Sequence, residues 1–338
     1  MRVLGGRLRA PAGWTGIATL LVATTSAVVI GLIPDLIRAT LGTGLRALLW
    51  TILALAVVGV AAKLFLVRPR ELGIVLDLDP GDQREWDGHP AQVAHAQAQA
   101  QQDRAPAPIR ERLSVDPVRR NEQLKSVFRQ LNKASGNQTQ AVSLYPSVTV
   151  HDSFAIGRLV RAGSFPMTLM QKPEALDDAG QFYPAIGLGA HLRSPLTHAD
   201  RQRAEAFLRA DPVDLNPHAD ADRLALVVVL SARSVLIRPS AVKAAAAGRS
   251  DDYAMGPNDR CRAALVIETI DGSVPADRNS FELTVRYAYE RWTAWLDEQQ
   301  SGTGEQILFL AGPNTIAMAL GYVFGRQRMR LIPHTRTS

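Results

Sequence analysis

The stretch Gln306-Ile-Leu-Phe-Leu-Ala-Gly-Pro-Asn-Thr-Ile-Ala-Met-Ala-Leu-Gly-Tyr-Val-Phe324 decides the fold. Residues 306–311 form a short, almost wholly apolar run, the signature of a strand covered on both faces. Gly312-Pro313-Asn314-Thr315 then breaks the run, and Ile316 to Phe324 has the small and apolar composition of a buried helix. A buried strand that turns sharply into a buried helix is half of a parallel βαβ unit.

Outward from this stretch the same grammar repeats. Upstream, residues 262–270 (RAALVIETI) read as a second buried strand. Phe281, Val285, Ala288, Trp292, Trp295 and Leu296 follow at helical spacing. Downstream, residues 328–333 (RMRLIP) give a short last strand. The order β-α-β-α-β predicts a parallel Rossmann-like sheet. Residues 71–171 predict the same order: a strand at 72–78, a helix at 121–134, a strand at 140–145 ended by Pro146, a helix at 154–161 and a strand at 166–170. Phe154-Ala155-Ile156-Gly157 in this half parallels Met318-Ala319-Leu320-Gly321 in the other. The expected fold class is therefore α/β, with duplicated Rossmann-like parallel sheets in two halves, 71–171 and 224–338, bridged by 172–223. The bridge holds a run at 184–188 and a helix near 198–208; the strand 224–231 follows it. The Ala/Gln-rich segment 91–102 is either a polar helix or an irregular insertion, and its role stays open.

Residues 1–70 are of another kind. The uncharged run Thr15–Ile33 and the run Ala47–Val67, whose one charge is Lys63 near its end, each approach the length of about 20 residues that spans a bilayer. They are expected to form a transmembrane helical hairpin, and a cleaved signal peptide is the competing reading of the first. Thr19, Ala23, Ala27 and Gly31 would line one helix face with small side chains, a stripe that lets helices associate. Charge supports the membrane reading. Residues 1–70 hold eight basic residues against Asp35 alone, and the remaining 30 basic and 31 acidic residues nearly cancel. The excess thus lies beside the expected spans, and net charge gives no support for a DNA- or RNA-polymer partner. The slight asymmetry of positive charge favours both termini, and with them the region beyond residue 71, in the cytoplasm, with a lumenal placement of that region as the alternative.

Chemistry-bearing motifs are scarce. The sequence has no GxGxxG, GxxxxGK[ST], GxSxG or HExxH, and seven histidines without ligand spacing predict no metal centre. His151-Asp152-Ser153 are consecutive and point apart, so they form no triad. No catalytic residue and no cofactor is expected. Cys261, the only cysteine, opens an apolar run and reads as a core residue. Phe182, Tyr183, Trp292 and Trp295 also read as core, the first two with stacking on bases as the alternative. Two strand-to-helix turns remain as ligand-binding candidates, because ligands of open α/β sheets bind beyond the carboxyl ends of the strands, where helix N-termini favour phosphate. One turn is Gly312, Pro313, Asn314 and Thr315. The other runs from Pro146 to Ser153 and carries Ser147, Thr149, Asp152 and Ser153. Two like halves would turn both toward one cleft. Ordinary helix capping explains the same residue types equally well.

The run Ile307 to Gly321 resembles the C-terminal signature of SAVED domains: a strand, a Gly-Pro turn and a small-residue helix ending in Leu-Gly. The resemblance covers most of 140–338 and thins over 71–139. It implies two fused CARF-like Rossmann units that sense a cyclic oligonucleotide made by a partner nucleotidyltransferase in CBASS anti-phage defence. It further implies the effector subclass with two transmembrane helices, in which ligand-induced homo-oligomerisation disrupts the bilayer and no enzymatic activity is needed. On that resemblance the Gly312–Thr315 turn is the foremost ligand contact. The Pro146–Ser153 turn follows only by internal symmetry. A membrane-tethered Rossmann-like enzyme acting on nucleotides, as ring nucleases do, is the alternative, and an adaptor protein that binds no small molecule is a third reading.

Overall fold

The structure is a computed structural model that describes residues 72–79, 89–101, 108–135, 141–160, 166–173, 181–215, 223–231, 237–256, 259–299 and 304–334. The chain divides into two units, Met1–Pro69 and Arg70–Ser338. The two apolar runs at 15–33 and 47–67 lie outside the described residues. Among the described residues no helix is long and apolar enough to cross a membrane.

The elements in chain order are β1 (Leu72–Asp79), α1 (His89–Gln101), β2 (Ile109–Arg112), α2 (Pro117–Ser135), β3 (Val142–Ser147), α3 (Val150–Leu159), β4 (Met167–Gln171) and β5 (Tyr183–Leu188). A 3-10 turn (Ala190–Arg193), α4 (His198–Glu205) and β6 (Leu208–Asp214) follow. Then come β7 (Arg223–Val229), α5 (Ile237–Ala247), β8 (Cys261–Thr269), α6 (Arg278–Glu298), β9 (Gln306–Ala311), α7 (Asn314–Phe324) and β10 (Met329–Leu331). They build two five-stranded sheets, β2-β1-β3-β4-β5 and β10-β9-β7-β8-β6. The first four strands of one half take the order 2-1-3-4, and β7 to β10 repeat it as 8-7-9-10, all parallel. The α/β, Rossmann-like architecture is therefore plain.

Each sheet departs from the all-parallel expectation at one edge. β5 pairs antiparallel with β4, and β6 pairs antiparallel with β8. Both come from the segment between the halves, so that segment completes the two sheets. Two further corrections concern local reading. Pro146 does not end β3: the strand runs through it, in register with Leu76, to Ser147. And β2 is a strand the sequence reading lacks, while α1 takes the helical one of the two readings of the Ala/Gln-rich segment.

One continuous core joins the sheets. Ile74, Leu76 and Leu78 of β1 and Leu224, Leu226 and Val228 of β7 share it with apolar residues of α2, α3, α6 and α7. Trp292 of α6 has no exposure, and its indole N–H donates to Gln306. The alternate residues face outward helices: Val75, Tyr145 and Phe182 pack with α1, and Ala225, Val227 and Phe309 with α5. That two-sided burial explains why β7 and β8 read as unbroken apolar runs. The alanines of α1 let it lie close on β1, where a Cβ at Gly73 would come within 2.9 Å of Ala100. Gln99 of the same helix grips the chain ahead of β5. Its amide donates to Phe182 O at 2.8 Å and accepts from Phe182 N at 2.7 Å.

The two halves meet along α3 and α7. A Cβ at Gly157 would lie 2.0 Å from Met318 O, and one at Gly321 would lie 2.1 Å from Phe154 O. The contact is reciprocal between the segments Phe154–Gly157 and Met318–Gly321. The helix backbones touch there, which only glycine permits. Farther along, a Cβ at Gly325 would meet Arg158 O at 3.5 Å. The helices thus run side by side in the same sense, and their N-termini come together at the carboxyl ends of β3 and β9.

Candidate functional site

The structure brings both sequence-predicted turns to one place. Asn314, the first residue of α7, donates from its side-chain amide to Val148 O in the β3–α3 turn. Thr315 Oγ1 donates to Gln171 Oε1 at 2.8 Å, at the end of β4. Two helix N-termini therefore stand beside each other, each the positive end of a helix dipole.

The two ends are finished differently. Thr149 caps α3: its Oγ1 accepts from Asp152 N at 3.2 Å and donates to Asp152 Oδ2 at 2.7 Å. Asp152 has no exposure. Arg120 of α2 clamps it with Nε at 2.9 Å and Nη2 at 2.8 Å, the bidentate geometry that best matches a carboxylate. His151 Nδ1 stands 3.7 Å from Asp152 Oδ1. Burial opposes ionisation of Asp152, yet the interactions with His151, Arg120 and Thr149 outweigh it and hold the carboxyl down at about 2. The N-terminus of α3 therefore carries its own anion. At α7 the residue before the helix is Pro313, with no side-chain cap bond. Gly312 is pressed by Leu230, the residue after β7, and a Cβ there would lie 3.0 Å from Leu230 Cβ.

Among the candidate residues, the side chains of Thr149, Asp152, Asn314 and Thr315 already hold protein partners. Ser147 and Ser153 do not. Ser147 ends β3 with 1% exposure and Ser153 lies in the first turn of α3 with none. Both hydroxyls lack a hydrogen-bond partner. A buried hydroxyl left unpaired costs about 1–3 kcal/mol, so these two are the candidate hydroxyls whose bonding the protein leaves unmade. Sequence reading missed Arg120 and Gln171, and did not single out Val148 within the Pro146–Ser153 turn. Arg120 precedes the apolar stripe of α2, and nothing in its surroundings in sequence distinguishes it from a solvated arginine.

The other singled-out residues are in the core or at its border. Phe182 is buried edge-on to Tyr145 at 5.3 Å, and Tyr183 lies edge-on to Phe281 at 5.9 Å. Trp292 and Trp295 are buried. Burial pushes the Cys261 thiol up to about 12, which leaves it protonated and unreactive at neutral pH. Among the described residues no group of histidines, cysteines and carboxylates is placed to hold a metal ion.

No protein-family model matches the chain, and comparison with curated proteins finds no match in sequence. Among solved structures, the chain is similar to the Cap4 SAVED/CARF-domain containing receptor of Acinetobacter baumannii, in its structures with two cyclic trinucleotides. The structure with 2'3'3'-cAAA aligns with a TM-score of 0.39 and 11% identity, over 80% of this chain and 50% of that one. The structure with 3'3'3'-cAAA aligns with a TM-score of 0.38 and 10% identity, over 84% and 55%. This chain spans about half the length of the receptor chains it matches.

Proposed function

We propose that this chain is a membrane-anchored effector that binds a cyclic oligonucleotide second messenger where its two halves meet. On this reading the bound ligand drives oligomerisation of the region beyond residue 71. The hairpin of spans 15–33 and 47–67 then disrupts the inner membrane in abortive anti-phage defence, with no catalytic step. The observation that carries the ligand reading is the pairing of the two strand-to-helix turns. Two helix N-termini lie side by side with the unpartnered hydroxyls of Ser147 and Ser153 among the turn residues. Adjacent dipole ends and free hydroxyls suit a ligand that repeats phosphate and hydroxyl groups. The SAVED resemblance of Ile307–Gly321 supplies the ligand class, and the two apolar runs supply the anchor.

Purified full-length chain, melted in the presence of cyclic di-, tri- and tetranucleotides, should shift upward with at least one of them. A ligand present at 100 times its Kd adds about 2.7 kcal/mol to stability, several degrees of melting temperature. Ser147→Ala and Ser153→Ala should weaken that shift while leaving the ligand-free melting temperature unchanged or raised. A flat response across the panel would overturn the ligand reading. The ligand should also be recovered intact, since recovery of linear product would favour the nucleotide-processing alternative. The anchor is tested separately: the chain should remain in the membrane fraction after alkaline carbonate extraction, and its release would refute the spans.

A further inference from the structure

The two turns use their side chains in opposite ways. Thr149 and Asp152 bond within their own half, to each other and to Arg120. Asn314 and Thr315 bond only across to the other half. Asn314 reaches the carbonyl of Val148, a residue with no exposure. Thr315, 1% exposed, gives its only hydroxyl proton to Gln171 Oε1. Gln171 cannot turn its amide to offer the wrong atom, because its Nε2 donates at 2.9 Å to Lys172 O. Helix α7 is thereby tied at its first two residues to the β3–α3 turn and to the end of β4.

We infer that Asn314 and Thr315 are an inter-half clasp, with Gln171 as the positioning residue that presents the acceptor to Thr315. They set the spacing of the two helix N-termini before any ligand arrives. The chemistry favours this over a ligand-contact role. The Thr315 hydroxyl has no second proton to give a phosphate, and a side-chain amide proton of Asn314 is committed to Val148. The reciprocal glycine contact fixes α3 and α7 only at mid-length, and the clasp is what fixes their N-terminal ends.

The test uses the full-length chain without ligand, so its outcome is independent of the function proposed above. Amide hydrogen exchange is followed at residues 149–153 and 314–318, with the β9 amides as a reference for global opening. Asn314→Ala should speed exchange at 149–153, in the opposite half, by about five- to tenfold, the effect of losing one hydrogen bond. Asn314→Asp keeps the size but replaces the amide donor by a charged carboxylate, whose oxygen faces the Val148 carbonyl without a proton to give. It should give the same local opening, which decides the matter if the alanine variant unfolds. Thr315→Val should loosen 314–318, Thr315→Ser should restore it, and Gln171→Met should reproduce the valine phenotype. The double variant Gln171→Met/Thr315→Val should be no worse than either single change, because both remove the same bond. Faster exchange confined to 314–318 in both Asn314 variants, or additive effects of the Gln171 and Thr315 changes, would overturn the clasp.

Discussion

Asp152 is a charge placed where water does not reach. It is tolerable because Arg120 meets both oxygens and Thr149 adds a third bond. Its folded pKa of about 2 lies below the ordinary 3.8, so ionised Asp152 favours the folded state. That contribution, about 2 kcal/mol, is complete above pH 4 and is lost as the pH falls through 2. The urea midpoint should therefore fall between pH 4 and pH 2, and in Asp152→Asn that part of the fall should be absent. The partners are not equivalent. The Arg120 side chain keeps 17% of its surface in water and the Asp152 carboxylate keeps none. Arg120→Met strands the buried anion and should cost about 3–5 kcal/mol, more than Asp152→Asn, where the guanidinium retains some hydration. Equal urea midpoints for the two variants would contradict this account.

Elements explain what sequence could and could not disclose. The strands β7, β8 and β9 are legible because helices cover both their faces and every position demands an apolar side chain. The helix α6 is legible because its apolar stripe, Phe281 to Leu296, holds one period over about four turns. β2 is not: at a sheet edge its sequence Ile-Arg-Glu-Arg alternates and carries three charges, Arg110 and Arg112 pairing with Asp77 and Asp79. β6 hides behind Pro212, which an antiparallel edge strand tolerates and an interior one does not. Pro146 is the converse case, a proline that sequence logic takes for a terminator and β3 passes through. Of the site, the two turns were legible from composition. The ties among them, through Arg120, Gln171 and Val148, join residues 32 to 166 positions apart and leave no local trace. The resemblance between Phe154–Gly157 and Met318–Gly321 was legible too, and the structure supplies its reason in the touching backbones. Gly157→Ala and Gly321→Ala each place a carbon about 2 Å from a carbonyl oxygen, in backbone that cannot yield. Each should cost more than about 4 kcal/mol. Gly73→Ala, at 2.9 Å from Ala100, should cost about 1–3 kcal/mol, and thermal melts of the three variants would rank them.

At the scale of the whole described region, one core and one bridge make the two sheets interdependent. The chain leaves the first sheet by β5, crosses the 3-10 turn and α4, and enters the second by β6, at an edge unlike the one it left. Arg193 ties the 3-10 turn back to α7 through Tyr322 O and Val323 O, and its guanidinium lies 4.9 Å over the Tyr322 ring. Glu290 of α6 accepts from Leu196 N and Arg201, and Glu282 accepts the Gly187 N–H of β5. The connecting segment is thus held along its length by helices of the second half. The exposed residues Ser194 and Pro195 at its middle are the place where the chain gives up least if it is opened. A polypeptide ending at Ser194 and another beginning at Pro195, made in the same cell, should seek each other out and co-elute as a stoichiometric pair, each supplying the apolar wall the other lacks. Continuity of the chain at that point would then be a matter of delivery, and the two pieces would behave as subunits that happen to share a single message.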